Sequence, residues 1–287
     1  MEIAVTGGNG RLGRVLIERL LKSGHRVRSL DRAAPQAGAL ATTPALPEAA
    51  DGALRPVEAD INNLEALTEA IRGCDAVIHL AAFPGPHGQA PGVVYANNTL
   101  TNYNVLYAAS SLGIERVSLA SSINAIGGIA SRRGRFDYFP VDELHPTYSE
   151  DDYSLSKWVG EIQADSFARR FPAMTISSLR FHALVDSYLK DHSHTLEKAE
   201  EGVARGLWGW TLISEGARAC ELAITADYKG HEVFFIVAPT THSSIPTLEL
   251  AAYAYPEVPI RGDLSGHKSF YDSSKAARLI GWTHLTE

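Results

Sequence analysis

The sequence predicts an α/β fold, a doubly wound parallel sheet with a small C-terminal lobe. Through the first 181 residues, short apolar runs alternate with amphipathic runs of helical period, the rhythm of strand–helix–strand units in a parallel sheet. One of these runs, Asp75-Ala-Val-Ile-His-Leu80, is nearly all apolar, as a strand covered on both faces has to be. The first run, Ile3 to Val5, breaks into glycines at 7, 10 and 13 and then directly into a helical pattern.

That opening carries the first chemistry. After the glycines, Leu12, Val15, Leu16, Leu20 and Leu21 are apolar, and Arg14, Glu18, Arg19 and Lys22 are polar. Strand, glycine turn and helix together form a dinucleotide-binding fingerprint. A Cβ at Gly7, Gly10 or Gly13 would block the tight turn or the approach of backbone to pyrophosphate. The first helical turn, with Arg11 and Leu12, offers N–H groups to that phosphate. A second strand, His25 to Leu30, ends at Asp31, 18 residues beyond Gly13, where a ribose-binding carboxylate is expected. A carboxylate there accepts a free 2′-hydroxyl and repels a 2′-phosphate, so NAD is expected over NADP. Arg32 follows directly and is the residue that could turn toward a phosphate.

Residues 33–54, rich in Ala and Pro, read as a surface loop. A third strand over 55–59 ends at Asp60, and Leu64, Leu67 and Ile71 mark a helix closed by Gly73. The 75–80 strand runs into Ala81-Ala82 and a Pro/Gly loop over 83–92. A helix over 97–112 and a strand over 115–120 follow, then an irregular stretch over 122–152, a helix over 153–171 and a strand over 174–181. Beyond that the rhythm weakens: helices over 195–207 and 215–226, a strand over 231–237, and short helices over 247–254 and 273–280. Residues 1–181 are therefore expected to form the nucleotide-binding domain, and 182–287 a small substrate lobe interleaved with the last sheet elements. Gly7, Asp31, Asp60, Ala81 and Ser121 all fall just past strand C-termini, the edge where open α/β sheets bind ligands.

A second signal is Tyr153-Ser-Leu-Ser-Lys157. Residues four apart share a helix face, so phenol and ammonium reach one cavity. A phenol of pKa about 10 is a poor base at neutral pH; a neighbouring ammonium and an oxidised nicotinamide both favour the phenolate. With 11 Tyr and 7 Lys, chance predicts fewer than one Tyr/Lys pair at this spacing, and the sequence has two. The second, Tyr271 with Lys275, lacks an upstream Ser-bearing strand end and reads as structural. The first has Ser121 and Ser122 about 30 residues upstream.

Composition narrows the classes. A net charge of −7 argues against a nucleic-acid surface. Two cysteines, Cys74 and Cys220, make neither a disulfide framework nor a cysteine metal site. No apolar run reaches the roughly 20 residues that span a bilayer. The N-terminus enters a strand without a leader, so no membrane association and a cytoplasmic location are expected. His192 and His194 lack acidic or cysteine partners at ligand spacing, and no metal is expected. Glu197, Glu200 and Glu201 read as a solvated helix face.

Taken in order, Thr6-Gly-Gly-Asn-Gly-Arg-Leu-Gly13, Asp60-Ile61, His79-Leu-Ala-Ala82, Asn98, Ser121-Ser122 with Gly127, Tyr153-Ser-Leu-Ser-Lys157 with Gly160-Glu161, and the tail Phe270 to Trp282 resemble the extended short-chain dehydrogenase/reductase family, the NAD-dependent epimerase/dehydratase group with its Rossmann fold. The resemblance covers almost the whole chain. It implies Tyr153 as acid/base, Lys157 holding the nicotinamide ribose and tuning Tyr153, and Ser122 hydrogen-bonding the reacting oxygen. It further implies pyrophosphate on Gly7, Gly10 and Gly13, adenosine ribose on Asp31, the adenine edge on Asp60 and Ile61, ribose-phosphate at Ala81 and Ala82, and support of the active-site helix by Asn98.

The segment Leu179 to Asp186 lacks the Asn and Gly-Pro that the family's nucleotide-sugar enzymes carry there, and Ile123 and Asn124 stand where its dehydratases place an acidic pair. The chain is more similar to the family's uronate and sugar dehydrogenases. Hydride transfer from a secondary or hemiacetal hydroxyl to NAD is the expected reaction. A nucleotide-sugar epimerase or dehydratase that retains its NAD is the alternative, and a non-catalytic cofactor sensor the third reading. Asn124, Arg180 and His182 are candidate substrate contacts beside Ser122, with His87 a further one. Family members dimerise through the helices that correspond to 97–112 and 153–171, and the apolar Trp158, Ile162 and Phe167 suggest a homodimer here too.

Overall fold

The computed structural model describes residues 1–32, 52–86, 88–187 and 201–285. Almost all of the 33–54 loop, His87, His192, His194, Glu197, Glu200 and the first part of the helix expected over 195–207 lie outside the described residues, as does the side chain of Glu201.

Strand β1 (Glu2–Thr6), helix α1 (Arg11–Lys22) and strand β2 (Arg26–Asp31) form the first unit. Then come β3 (Leu54–Glu58), α2 (Leu64–Ile71), β4 (Ala76–His79) and α3 (Val93–Ser111). Asn63 caps α2 by accepting from the backbone N–H groups of Glu65 and Ala66. Helix α3 begins four residues before the expected start, because Gly92, at φ +79°, turns the Pro/Gly loop straight into it. Strand β5 (Arg116–Ser122) runs two residues further than expected. Ser121 and Ser122 pair in register with Arg180 and Phe181 of β6 (Thr175–Phe181), so both serines are inside the strand. Their polarity hides a strand end that the neighbouring strand dictates.

Between these strands lies α4 (Asp152–Arg170), capped by Asp151, which accepts from the N–H groups of Tyr153 and Ser154 at 2.9 Å each. After β6 come β7 (Leu184–Val185), α5 (Glu201–Arg205), β8 (Thr211–Leu212), α6 (Ile213–Thr225), β9 (Gly230–Ile236), α7 (Thr247–Ala254) and α8 (Ser274–Ile280). The main sheet is parallel throughout, in the order β3-β2-β1-β4-β5-β6-β9. Strand order reverses between β1 and β4, the switch point of a Rossmann-type sheet.

One face of the sheet is covered by apolar side chains of α1, α6 and α8, among them Leu16, Ile17, Ala219 and Ile280. The other is covered by α2, α3 and α4 through Leu67, Val105, Ala108 and Ala164. A third cluster, from Ile123, Phe139, Trp208, Phe270 and Tyr271, lies with Phe235 of β9. It joins the stretch after β5 to segments from beyond residue 200. Among the described residues, no helix is long and apolar enough to cross a membrane.

Candidate active site

The glycine turn closes on itself as the sequence requires. The Gly10 N–H donates to the Gly7 carbonyl at 3.0 Å. Gly7 has φ +72°, and a Cβ on it would lie 2.8 Å from the Ala81 nitrogen. A Cβ on Gly13 would meet the Gly7 carbonyl oxygen at 2.3 Å. Gly10 provides no side-chain cap for α1, so the first-turn N–H groups, which have no intrahelical partner, are left to a ligand. Leu12 contributes backbone there, since its side chain packs beside Gly216 of α6. Arg11 reaches the other way, to the Asp186 carboxylate at 3.2 Å and the Leu184 carbonyl.

Beyond the turn runs a groove of about 370 Å³, lined by Gly7, Asn9, Gly10, Asp31, Arg32, Ile61, Asn62, Ala81, Ala82 and Phe83. Asp31 accepts from the Asn9 N–H at 2.9 Å through one oxygen and from the Arg32 N–H at 3.3 Å through the other. The carboxylate is thereby fixed at the groove wall. The open glycine cradle, the uncapped helix and this carboxylate fit a dinucleotide.

Asp60 and Asn98 are both held by the protein itself. Asp60 accepts from the Asn62 backbone and side-chain N–H groups, which holds its carboxyl below the usual range, and Asn62 rather than Asp60 lines the groove. Asn98 is spent on protein: it exchanges hydrogen bonds with both backbone groups of Phe83 and donates to Ser156 Oγ at 3.2 Å. It thus ties the loop after β4 to α4. Asn9 and Asn62 were not singled out by sequence reasoning; their proximity to the glycine turn and to Asp60 was the available signal.

Past the groove, Ser122, Tyr153 and Lys157 come together. The Ser122 hydroxyl lies near the Tyr153 phenol and accepts from the Asn124 N–H at 3.1 Å. Lys157 Nζ lies 5.6 Å from the Tyr153 ring centre and donates to the Ala120 carbonyl at 2.7 Å. Burial pushes the phenol up, with the neighbouring Ser122 hydroxyl opposing. Burial brings the Lys157 ammonium down to about 8, opposed by the Glu161 carboxylate. Burial therefore keeps the phenol protonated at neutral pH in the cofactor-free protein.

The substrate candidates separate. Asn124 sits beside Ser122 in a short 3-10 turn (Ile123–Ile126), its Oδ1 facing the Ala130 N–H at 3.4 Å. Arg180 is buried and gives Nε and Nη2 to the two oxygens of Glu161 at 2.9 and 2.7 Å. His182 is pinned between the Gly206 carbonyl and the Ala183 N–H at 2.8 and 2.7 Å; burial lowers its pKa to about 4, so it is neutral. Both have protein partners where substrate contacts were expected. The second Tyr/Lys pair is split: Tyr271 packs on Phe235 and His182, and Lys275 pairs with Glu232 at 2.7 Å. Among the described residues, no group of three His, Cys, Asp or Glu is placed to hold a metal.

A nucleotide groove ending at a buried Ser–Tyr–Lys cluster defines a dinucleotide-dependent enzyme. Residues 3–233 match the NAD dependent epimerase/dehydratase family. The chain belongs to that family, and is an NAD-dependent enzyme of the extended short-chain dehydrogenase/reductase type. It is 32% identical over 209 residues to an L-arabinose 1-dehydrogenase (NAD(P)(+)) of Haloferax volcanii, covering 71% of this chain and 74% of that one. It is 25% identical over 214 residues to a dTDP-6-deoxy-L-talose 4-dehydrogenase (NAD(+)) of Aggregatibacter actinomycetemcomitans, covering 71% and 69%. The fold is similar to that of a mutated uronate dehydrogenase, with a TM-score of 0.69, 20% identity, and coverage of 100% of this chain and 82% of the other.

Proposed function

We propose that the protein oxidises a secondary or hemiacetal hydroxyl of a sugar, uronate or similar small polar substrate, with Tyr153 as acid/base. The observation that carries this is the convergence of buried Ser122 and Tyr153 with Lys157, whose Nζ lies 5.6 Å from the Tyr153 ring centre on the same helix face. Bound NAD⁺ supplies the hydride acceptor and the positive charge that favours a phenolate. Tyr153 Oη takes the hydroxyl proton of the substrate, Ser122 Oγ hydrogen-bonds the same oxygen, and Lys157 Nζ exchanges the Ala120 carbonyl for the ribose. Dehydrogenase chemistry is favoured by the relatives named as dehydrogenases of L-arabinose and of dTDP-6-deoxy-L-talose and by the absence of an acidic pair at Ile123 and Asn124.

Residues from 182 onward supply the substrate side, although α6, β9 and α8 return to the layers of the main sheet. The protein acts in the cytoplasm as a homodimer, a reading supported by its two buried free thiols and by an exposed apolar strip on α3 and α4.

The test is turnover of purified protein against a panel of aldoses, uronates and nucleotide sugars, followed at 340 nm. Stoichiometric NADH supports the dehydrogenase; an isomerised product without net NADH overturns it in favour of an epimerase. Tyr153→Phe is expected to cut turnover by roughly 10² to 10⁴-fold with NAD affinity retained. Undiminished turnover would remove Tyr153 from the mechanism.

A further inference from the structure

Three elements of the site meet at one carboxylate. Glu161 stands one turn beyond Lys157 and two beyond Tyr153 on α4, so all three share a helix face. Its side chain is buried. Oε1 accepts from Ser121 Oγ at 2.6 Å and from Arg180 Nε at 2.9 Å, and Oε2 accepts from Arg180 Nη2 at 2.7 Å. Ser121 and Arg180 are register partners on β5 and β6. Helix α4 is therefore fastened to two consecutive residues of β5, by Lys157 to Ala120 and by Glu161 to Ser121, directly before Ser122. A bidentate guanidinium also fixes the orientation of the carboxylate.

We propose that Glu161, clamped by Arg180 and Ser121, is the positioning residue of Lys157: it supplies the counter-charge that keeps the ammonium protonated and sets α4 against the strand end that carries Ser122. This rests on the assignment of Tyr153, Lys157 and Ser122 to proton transfer. It also gives Arg180 its function, exerted through Glu161.

The surroundings of Lys157 leave this role to Glu161. A cavity of about 20 Å³ beside the ammonium is lined by His79 of β4, Asn98 and Asn102 of α3, Ala120 and Ser121 of β5, and Glu161 of α4. That volume suffices for about one water. Burial keeps His79 neutral, its pKa lowered to about 3, and the asparagines and Ser121 carry no charge. Burial keeps Tyr153 protonated, and the Asp151 carboxylate is taken up by the N–H groups at the start of α4. Arg180 stands behind Glu161, with Glu143 near it. Among the described residues lining the cavity, Glu161 alone is anionic. Burial lowers the Lys157 pKa and Glu161 opposes this. Without the carboxylate, the ammonium loses its proton at lower pH.

The deciding measurement is an NMR titration of cofactor-free protein carrying ¹³Cε-lysine, with the Lys157 signal assigned by its loss in Lys157→Arg. Wild-type should titrate near 8. Glu161→Gln should lower the midpoint by roughly 1 to 2 pH units, and Glu161→Asp should recover most of that shift. Because Glu161→Gln strands the buried Arg180 charge, the double variant Glu161→Gln/Arg180→Met is included; a smaller shift of the same downward sign is expected of it, since a more distant cation leaves together with the carboxylate. In active protein the basic limb of kcat/KM should move in parallel.

A native-like double variant with an unmoved Lys157 midpoint overturns the proposal whatever the activity. A midpoint that moves in a chain without dehydrogenase activity upholds the pairing and overturns the assigned reaction.

Discussion

Asp31 shows how much one carboxylate can decide. Both of its oxygens are held by backbone N–H groups, so it presents a fixed negative charge at the end of the groove, where a 2′-hydroxyl can donate to it and a 2′-phosphate is repelled. Losing a hydrogen bond to a charged group costs about 1.5–3 kcal/mol. Asp31→Ala should therefore lower kcat/KM with NAD by roughly 10- to 100-fold and leave NADP less affected. An unchanged NAD/NADP ratio would take Asp31 out of cofactor selection. At this scale Tyr153, Lys157 and Ser122 were legible because the chemistry demands particular residue types at a local spacing. Arg180 and His182 misled. The side-chain partner of Arg180 lies 19 residues away, and the Gly206 carbonyl bound by His182 lies 24 away. No local pattern announces partners so distant in the chain.

At the scale of elements, the glycine turn is both a binding device and a packing constraint. A methyl group at Gly13 would fall 2.3 Å from the Gly7 carbonyl oxygen and 2.7 Å from the Gly8 Cα, contacts that backbone has to move to relieve. Gly13→Ala should destabilise the fold by about 1–3 kcal/mol, read from denaturant midpoints, and weaken NAD binding measured by calorimetry. Unchanged stability and affinity would mean that α1 does not need to sit so close to the turn. Most element positions followed from periodicity, as with α2, whose Leu64, Leu67 and Ile71 run up to Gly73. The ends that shifted were those determined across the chain. β5 continues through two serines because β6 pairs with them, and α3 starts early because Gly92 adopts a left-handed turn.

For the whole molecule, the outer faces of α3 and α4 matter most. Leu100, Tyr103, Tyr107, Leu155 and Ile162 are exposed on these two helices, the strip on which the proposed homodimer would pair. The residues named from sequence were only partly the right ones: Ile162 faces outward, whereas Phe167 is buried against the sheet layer and Trp158 is half-buried. Ile162→Arg should convert a dimer to a monomer in sedimentation velocity; a wild-type protein that already sediments as a monomer would overturn the dimer. The helical wheel of α4 could not make this distinction, since apolar side chains occur on both its inward and outward sides.

The sequence alone determined the doubly wound sheet, the nucleotide groove and the Ser–Tyr–Lys trio. Each depends on local rules: alternation of strand and helix, glycine where a Cβ has no room, and two groups one helical turn apart. Tertiary structure decided what stands behind them. The bond from Glu161 to Ser121 and Arg180, the use of Asn98 on Phe83 and Ser156, and the withdrawal of His182 all join residues distant in the chain. Such partners are selected by burial, because a polar group removed from water has to find a hydrogen bond wherever the fold offers one.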